Sequence, residues 1–155
     1  MCVIKNLAYK TTRISTLLCV FFILLSVSTV LLLRFFNPPF TSFMLSESNF
    51  FQRKIHYSWT PISNMGENIA LSVVATEDSN FCNHLGLDIK EIYKVITRKE
   101  KRGASTITQQ LAKNLFLWSG RSWSRKIIEL YFTFLIEIII PKRRILEIYL
   151  NTVET

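Results

Sequence analysis

From Ile14 to Leu33 the chain runs for 20 residues without a charge, broken only by serine and threonine. A helix of that length rises about 30 Å, the thickness of a bilayer's hydrocarbon core. The stretch therefore predicts a membrane-spanning helix and leaves only the residues after it to build a folded domain. Lys5, Lys10 and Arg13 precede the run, whereas Arg34 alone closes it. Positive charge is retained on the cytoplasmic side, so the N-terminus is expected inside and the rest outside. A cleaved signal peptide is the competing reading. Its apolar core would be about 7–15 residues long and end in small residues. This run is longer and passes into Leu31-Leu32-Leu33-Arg34-Phe35-Phe36-Asn37-Pro38-Pro39. An uncleaved anchor is expected: residues 1–13 a cytoplasmic tail, 14–33 the span, 34–58 a periplasmic linker and 59–155 a single domain.

The chain has 155 residues, a net charge of +8 and 49% hydrophobic residues. Positive charge on this scale can signal nucleic-acid binding, but the anchor and outward topology argue against it. Cys2, Cys19 and Cys82 fall to the cytoplasm, the membrane and the exterior, so no disulfide framework is expected. His56 and His84 lie far apart and no metal-ligand cluster is visible. The linker is studded with Phe40, Phe43, Phe50, Phe51, Tyr57 and Trp59, suited either to the membrane interface or to the domain surface.

Beyond the linker the pattern is helical. Asn64-x-x-Glu67 resembles a capping box opening a helix to Glu77, and a second helix is expected from Ile89 to Thr97 after Gly86 breaks the pattern. Arg98-Lys99-Glu100-Lys101-Arg102-Gly103 reads as a charged, mobile loop. Thr106 with Gln109 is another helix start, in which Ile107, Leu111 and Leu115 share a face. On another face lie Thr106, Gln109, Gln110 and Lys113, amides and an ammonium that suit sugar hydroxyls and phosphate oxygens, or simply a solvated surface. Ser124 is expected to cap a third helix ending before Pro141. Its body, Ile127 to Ile140, is apolar nearly all round and so reads as buried on every side, except that Arg125, Glu129, Thr133 and Glu137 recur every four residues. Pro141 is expected to start a last helix, Lys142 to Leu150.

Two acids invite chemistry. Ile69, Val73 and Glu77 are spaced four apart, so a carboxylate stands where the stripe calls for a core residue. Burial there would raise its pKa and suit it to take a proton near neutral pH; a helix-end acid turned to solvent is the plainer reading. Glu129, inside an apolar helix, must be neutral or paired, with Arg125 and Lys126 one turn back as its natural partners.

Four motifs then occur in order: Glu77-Asp78-x-x-Phe81-x-x-His84-x-Gly86; Gly103-Ala104-Ser105-Thr106-Ile107-Thr108-Gln109-Gln110; Arg125-Lys126-x-x-Glu129; and Lys142-x-x-Ile145-Leu146-Glu147-x-Tyr149-Leu150-Asn151. Together they resemble the signatures of the family 51 glycosyltransferases, which polymerise lipid II into peptidoglycan. The resemblance covers about Trp59 to Glu154. Lys113-Asn114-Leu115-Phe116-Leu117-Trp118 and Gly120-Arg121-Ser122-Trp123 are similar to the monofunctional branch of Gram-negative bacteria. The resemblance implies a mainly α, lysozyme-like fold in the periplasm, tethered to the inner membrane, with Glu77 as general base and Glu129 as second essential carboxylate. It implies donor contacts from Asp78, Ser105, Thr106, Gln109, Gln110, Lys113, Asn114, Arg121 and Arg125. The reaction it implies inverts the anomeric centre, with polyprenyl diphosphate leaving. It implies that a divalent cation, Mg²⁺ or Mn²⁺, assists at the diphosphate. Its partners would be lipid II, the growing glycan strand, the membrane and other cell-wall synthesis proteins.

Leu85, Leu87 and Pro141 depart from the usual pattern at their positions. Chains of that family also continue past the segment matching Asn151 to Glu154. The domain is therefore expected to be incomplete at its C-terminus, and the chain as written a poor polymerase or an inactive remnant. A membrane-tethered muramidase is the rival enzyme, since paired acids also cleave sugars. The cations Lys113 and Arg121 favour a diphosphate donor instead.

Overall fold

The structure, a computed structural model, describes residues 2–42, 44, 57–98, 103–120 and 122–153, with side chains of the first helix described from Tyr9 onward. The described residues are all helical or irregular, without strands, in agreement with the expected mainly α class. Among the described residues six α-helices follow one another: α1 Cys2–Phe35, α2 Glu67–Glu77, α3 Ile89–Arg98, α4 Ile107–Phe116, α5 Trp123–Ile139 and α6 Lys142–Thr152.

Helix α4 is the centre, with α5 and α6 packed against it. Its start is the expected capping box: Thr106 Oγ1 accepts from Gln109 N, and Gln109 Oε1 accepts from Thr106 N. Ile107, Leu111, Ala112 and Leu115 are buried, as the four-residue spacing requires. Ile136, Ile145, Ile148 and Phe132 close over them, Phe132 stacked on Phe116 with centroids 4.2 Å apart. Each large apolar side chain removed from water contributes about 1.5–3 kcal/mol. This cluster holds together elements that carry polar groups to the surface.

Helix α5 corrects the expectation of burial on all sides. Its buried residues are Glu129, Phe132, Thr133 and Ile136, whereas Ile127 is 67% and Ile138 81% exposed. The four-residue polar stripe faces inward because each member finds a partner there. Glu129 pairs with Arg125 and Lys126, Thr133 Oγ1 donates to the Glu129 carbonyl, and Glu137 accepts from Thr108 and Lys142. Apolar residues are left for the outside, the reverse of a water-soluble helix.

Part of that outer surface meets α1. Tyr131 Oη is 2.6 Å from Ser26 Oγ, and its ring lies 5.8 Å from that of Phe22. Val30 and Leu33 enter the core, while α1 from Ile14 to Leu25 is exposed. The two helices run in parallel and finish together. Arg34 donates to the carbonyl of Ile139 at the end of α5. Arg144 returns the service to α1, donating to the carbonyls of Leu33 and Phe36 and to Asn37 Oδ1. Carbonyls orphaned at a helix C-terminus thus receive cations from the neighbouring element. α1 is long and apolar enough to cross a membrane.

Two helix starts differ from expectation. α2 has no Asn64–Glu67 box: Ile62–Asn64 forms a 3₁₀ turn, and Gly66 occupies the N-cap without a side-chain bond. α5 is capped by Ser122, whose Oγ accepts from Arg125 N at 3.2 Å, so the helix begins at Trp123 and not after Ser124. Pro141 stands one position before α6 as its N-cap, its carbonyl accepting from Arg144 and Ile145. Trp59 of the linker packs on the core under the Arg144 guanidinium, 5.0 Å from the ring centroid, and Phe40 is exposed. Phe43, Phe50, Phe51, His56 and the charged segment 99–102 lie outside the described residues.

Candidate active site

Two adjoining clefts open where α2, α4 and α5 converge. The first, about 300 Å³, is lined by Glu77, Asp78, Asp88, Glu91, Ser105, Thr106 and Gln110 among others. The second, about 510 Å³, is lined by Ser105, Gln109, Gln110, Lys113, Arg125, Lys126 and Glu129, with the turn at Ser119 and Gly120. Ser105 and Gln110 belong to both, so acidic and basic compartments share a wall.

The turn after α2 is tied down from several sides. Asp78 is buried; one carboxylate oxygen lies 2.8 Å from His84 Nε2, and the other accepts from the backbone N–H of Ile107, the first residue of α4. Gly86 N–H donates to His84 Nδ1, so the proton of the imidazole sits on Nε2 and faces Asp78. The Gly86 carbonyl accepts from Thr106 Oγ1 at 2.7 Å. These bonds fix the end of α2 against the start of α4. Glu77 and Gln110 are thereby brought together: Gln110 Nε2 donates to Glu77 Oε2 at 2.9 Å. From α6, Tyr149 donates its hydroxyl to Gln110 Oε1 at 3.0 Å.

Glu77 itself is exposed. The buried carboxylate expected from the Ile69–Val73–Glu77 stripe is not what this fold builds. Ile69 is 55% exposed and α2 has no buried residue; its contact with the core is through half-buried Val73 and Val74. The helix-end acid turned outward is the correct geometry, with an amide donor as its partner.

Glu129 is paired as its chemistry demanded. Arg125 Nη1 reaches Glu129 Oε2 at 2.8 Å and Lys126 Nζ bonds its other oxygen. Three cations, Lys113, Arg125 and Lys126, therefore line the second cleft against one carboxylate. Among the described residues the buried Arg125 Nε has no hydrogen-bond partner. Thr106 and Gln109 are buried and engaged in the capping box, and Asp78 in its own network, so these three act first on the fold. Asn114 is half-buried and outside the described lining of both clefts. Arg121 lies outside the described residues. Lys126 and Tyr149 complete the constellation; both stood inside the motifs, but spacing alone assigned neither a place in the site. Among the described residues no three His, Cys, Asp or Glu side chains converge as a metal ion would require. Both oxygens of Glu129 are taken by its cations.

Residues 45–155 match the sequence family described as Transglycosylase. The chain belongs to the transglycosylase family. A biosynthetic peptidoglycan transglycosylase of Stutzerimonas stutzeri is 46% identical over 166 residues, covering 97% of this chain and 64% of that protein. Proteins of the same name from Pseudomonas entomophila and Pasteurella multocida are 46% and 41% identical, each aligned over 58% of its own length. The chain thus spans about three-fifths of the length of these curated relatives.

Proposed function

We propose that the joined clefts polymerise lipid II into glycan strands. One observation carries this: an exposed carboxylate and a set of cations face two compartments that share the Ser105–Gln110 wall. Glu77 takes the proton of the acceptor sugar hydroxyl, which attacks the anomeric carbon of the donor from the face opposite the leaving group. The centre inverts and polyprenyl diphosphate departs. Lys113, Arg125 and Lys126 meet the charge that develops on the diphosphate, arginine by bidentate geometry and lysine as a point charge; the family resemblance assigns Arg121 the same task. Glu129 holds Arg125 and Lys126 in place as the second carboxylate. The relatives' name, which speaks of peptidoglycan biosynthesis, supports the same reading.

The apolar outer face of α5 and the docking of α1 support a domain resting on the outer surface of the inner membrane, the N-terminus inside. A lipid-linked donor would then reach the basic cleft from the bilayer. Ser26 precedes Leu33 by seven residues, so α5 follows the span for about 10 Å of its apolar length.

The test is to give the detergent-solubilised gene product lipid II in one vessel and purified peptidoglycan in another. Glycan strands and free polyprenyl diphosphate are expected from the first, and no soluble fragments from the second. Cleavage of peptidoglycan without strand formation would turn the assignment to a muramidase.

A further inference from the structure

Tyr149 carries no step of the proposed transfer, yet it is 2% exposed and its hydroxyl ends on Gln110 in the wall of the site. Its partner Gln110 donates to Glu77 and joins the two clefts. We infer that Tyr149 is a positioning residue: it anchors the Gln110 amide so that the NH₂ group stays on the Glu77 carboxylate.

The chemistry is asymmetric in a useful way. An ionised carboxylate only accepts, so it selects the NH₂ end of the amide. That leaves Oε1 pointing the other way, half-buried beneath the wall of the two clefts, where it can accept from a donor. Tyr149 supplies one at 3.0 Å. Without it, Gln110 would keep one bond at the end of a flexible side chain, and Glu77 would lose a fixed partner. A phenylalanine would fill the same space and support the same core contacts but could not hold the amide. Burial and the Glu77 charge push the Tyr149 hydroxyl up to about 12, so it remains protonated wherever the protein works. A hydroxyl also both donates and accepts. When Glu77 has taken a proton and offers its own O–H, the amide can turn over and give its NH₂ to Tyr149 Oη, keeping both bonds. The other charged groups on this compartment are Asp78 and Asp88 from the turn, Glu91 from α3 and, one turn along α4, Lys113.

The inference rests on Glu77 as the base for its catalytic meaning, but the bond relay can be read without turnover. In ¹⁵N-labelled protein held in detergent, the Gln110 side-chain amide signal should move as acid protonates Glu77. Glu77→Gln should abolish that movement and so identify it. In Tyr149→Phe the movement is expected to fall below half of the parent's, with the backbone spectrum and melting temperature little changed. Fluorotyrosine at position 149, which keeps the hydroxyl, should restore it. With lipid II as substrate, Tyr149→Phe should lower kcat about 3- to 10-fold, the value of one neutral hydrogen bond, and leave KM within about 2-fold. A Gln110 signal that moves as fully in Tyr149→Phe as in the parent overturns the inference. Failure of the base assignment looks different: Glu77→Gln would polymerise at the parent's rate while the amide relay stayed intact.

Discussion

Gly86 shows how closely single residues are specified around the site. Its φ is +84°, a left-handed backbone that side chains rarely adopt, and a Cβ there would stand 2.6 Å from Thr133 Cγ2 and 3.0 Å from Glu137 Cγ. The close approach lets the His84–Gly86 turn lie on α5, where Lys142 reaches the His84 carbonyl at 2.8 Å. Gly86→Ala combines backbone strain with overpacking and should cost about 2–4 kcal/mol. Gly103→Ala, with nothing within 4 Å of its Cβ, should stay within about 0.5 kcal/mol. Thermal unfolding of both variants in detergent checks the contrast; equal melting temperatures would remove Gly86 from the account. At this scale the sequence was a mixed guide. The glycine, the capping box and the Arg125–Glu129 pair were legible because each acts over four residues or fewer, or carries a motif. The exposure of Glu77 was not, since four-residue spacing tells which residues share a face but not whether another element covers it. Tyr149 is 39 residues from Gln110 and 72 from Glu77, a distance over which periodicity is silent.

Among the elements, α5 departs most from a simple reading of its pattern. An apolar helix with two acids suggested a rod buried on every side, yet the acids point inward and Ile127 and Ile138 outward. Both facts follow once the partners are known: Thr108, Lys142, Arg125 and Lys126 satisfy the polar stripe, while α1 covers part of the rest. The α1–α5 contact joins residues 105 apart, so no local signal announced it. Its polar link should be modest, because each hydroxyl finds another partner when the helices separate, as Ser26 Oγ already does in the Ile23 carbonyl. A double-mutant cycle of Ser26→Ala and Tyr131→Phe is expected to give a coupling of about 0.6 kcal/mol, and no more than about 1.7. Additive effects of the two substitutions on unfolding in detergent would mean that the 2.6 Å contact contributes nothing.

For the whole molecule, the order of the elements was readable earlier than their contacts. The uncharged run and the sequence of four motifs foretold a long apolar helix followed by a helical domain, and the family match bears out the motifs. The cleft geometry had to come from the fold, because α2, α4, α5 and α6 each bring one part of it. The topology remains a prediction in its own right: a reporter joined after Thr155 should be active only when its activity requires export, and activity in the cytoplasm would reverse the proposed orientation. The central claim is that Glu77 is the base of a lipid II polymerase. The most direct measurement compares polymerisation of lipid II by the gene product with that of Glu77→Gln, which keeps size and hydrogen bonding but removes the basic oxygen. The rate is expected to fall about 10²–10⁴-fold while lipid II binding and the melting temperature are preserved. Polymerisation within a few-fold of the parent would contradict the account and pass the role to another carboxylate, Glu129 first.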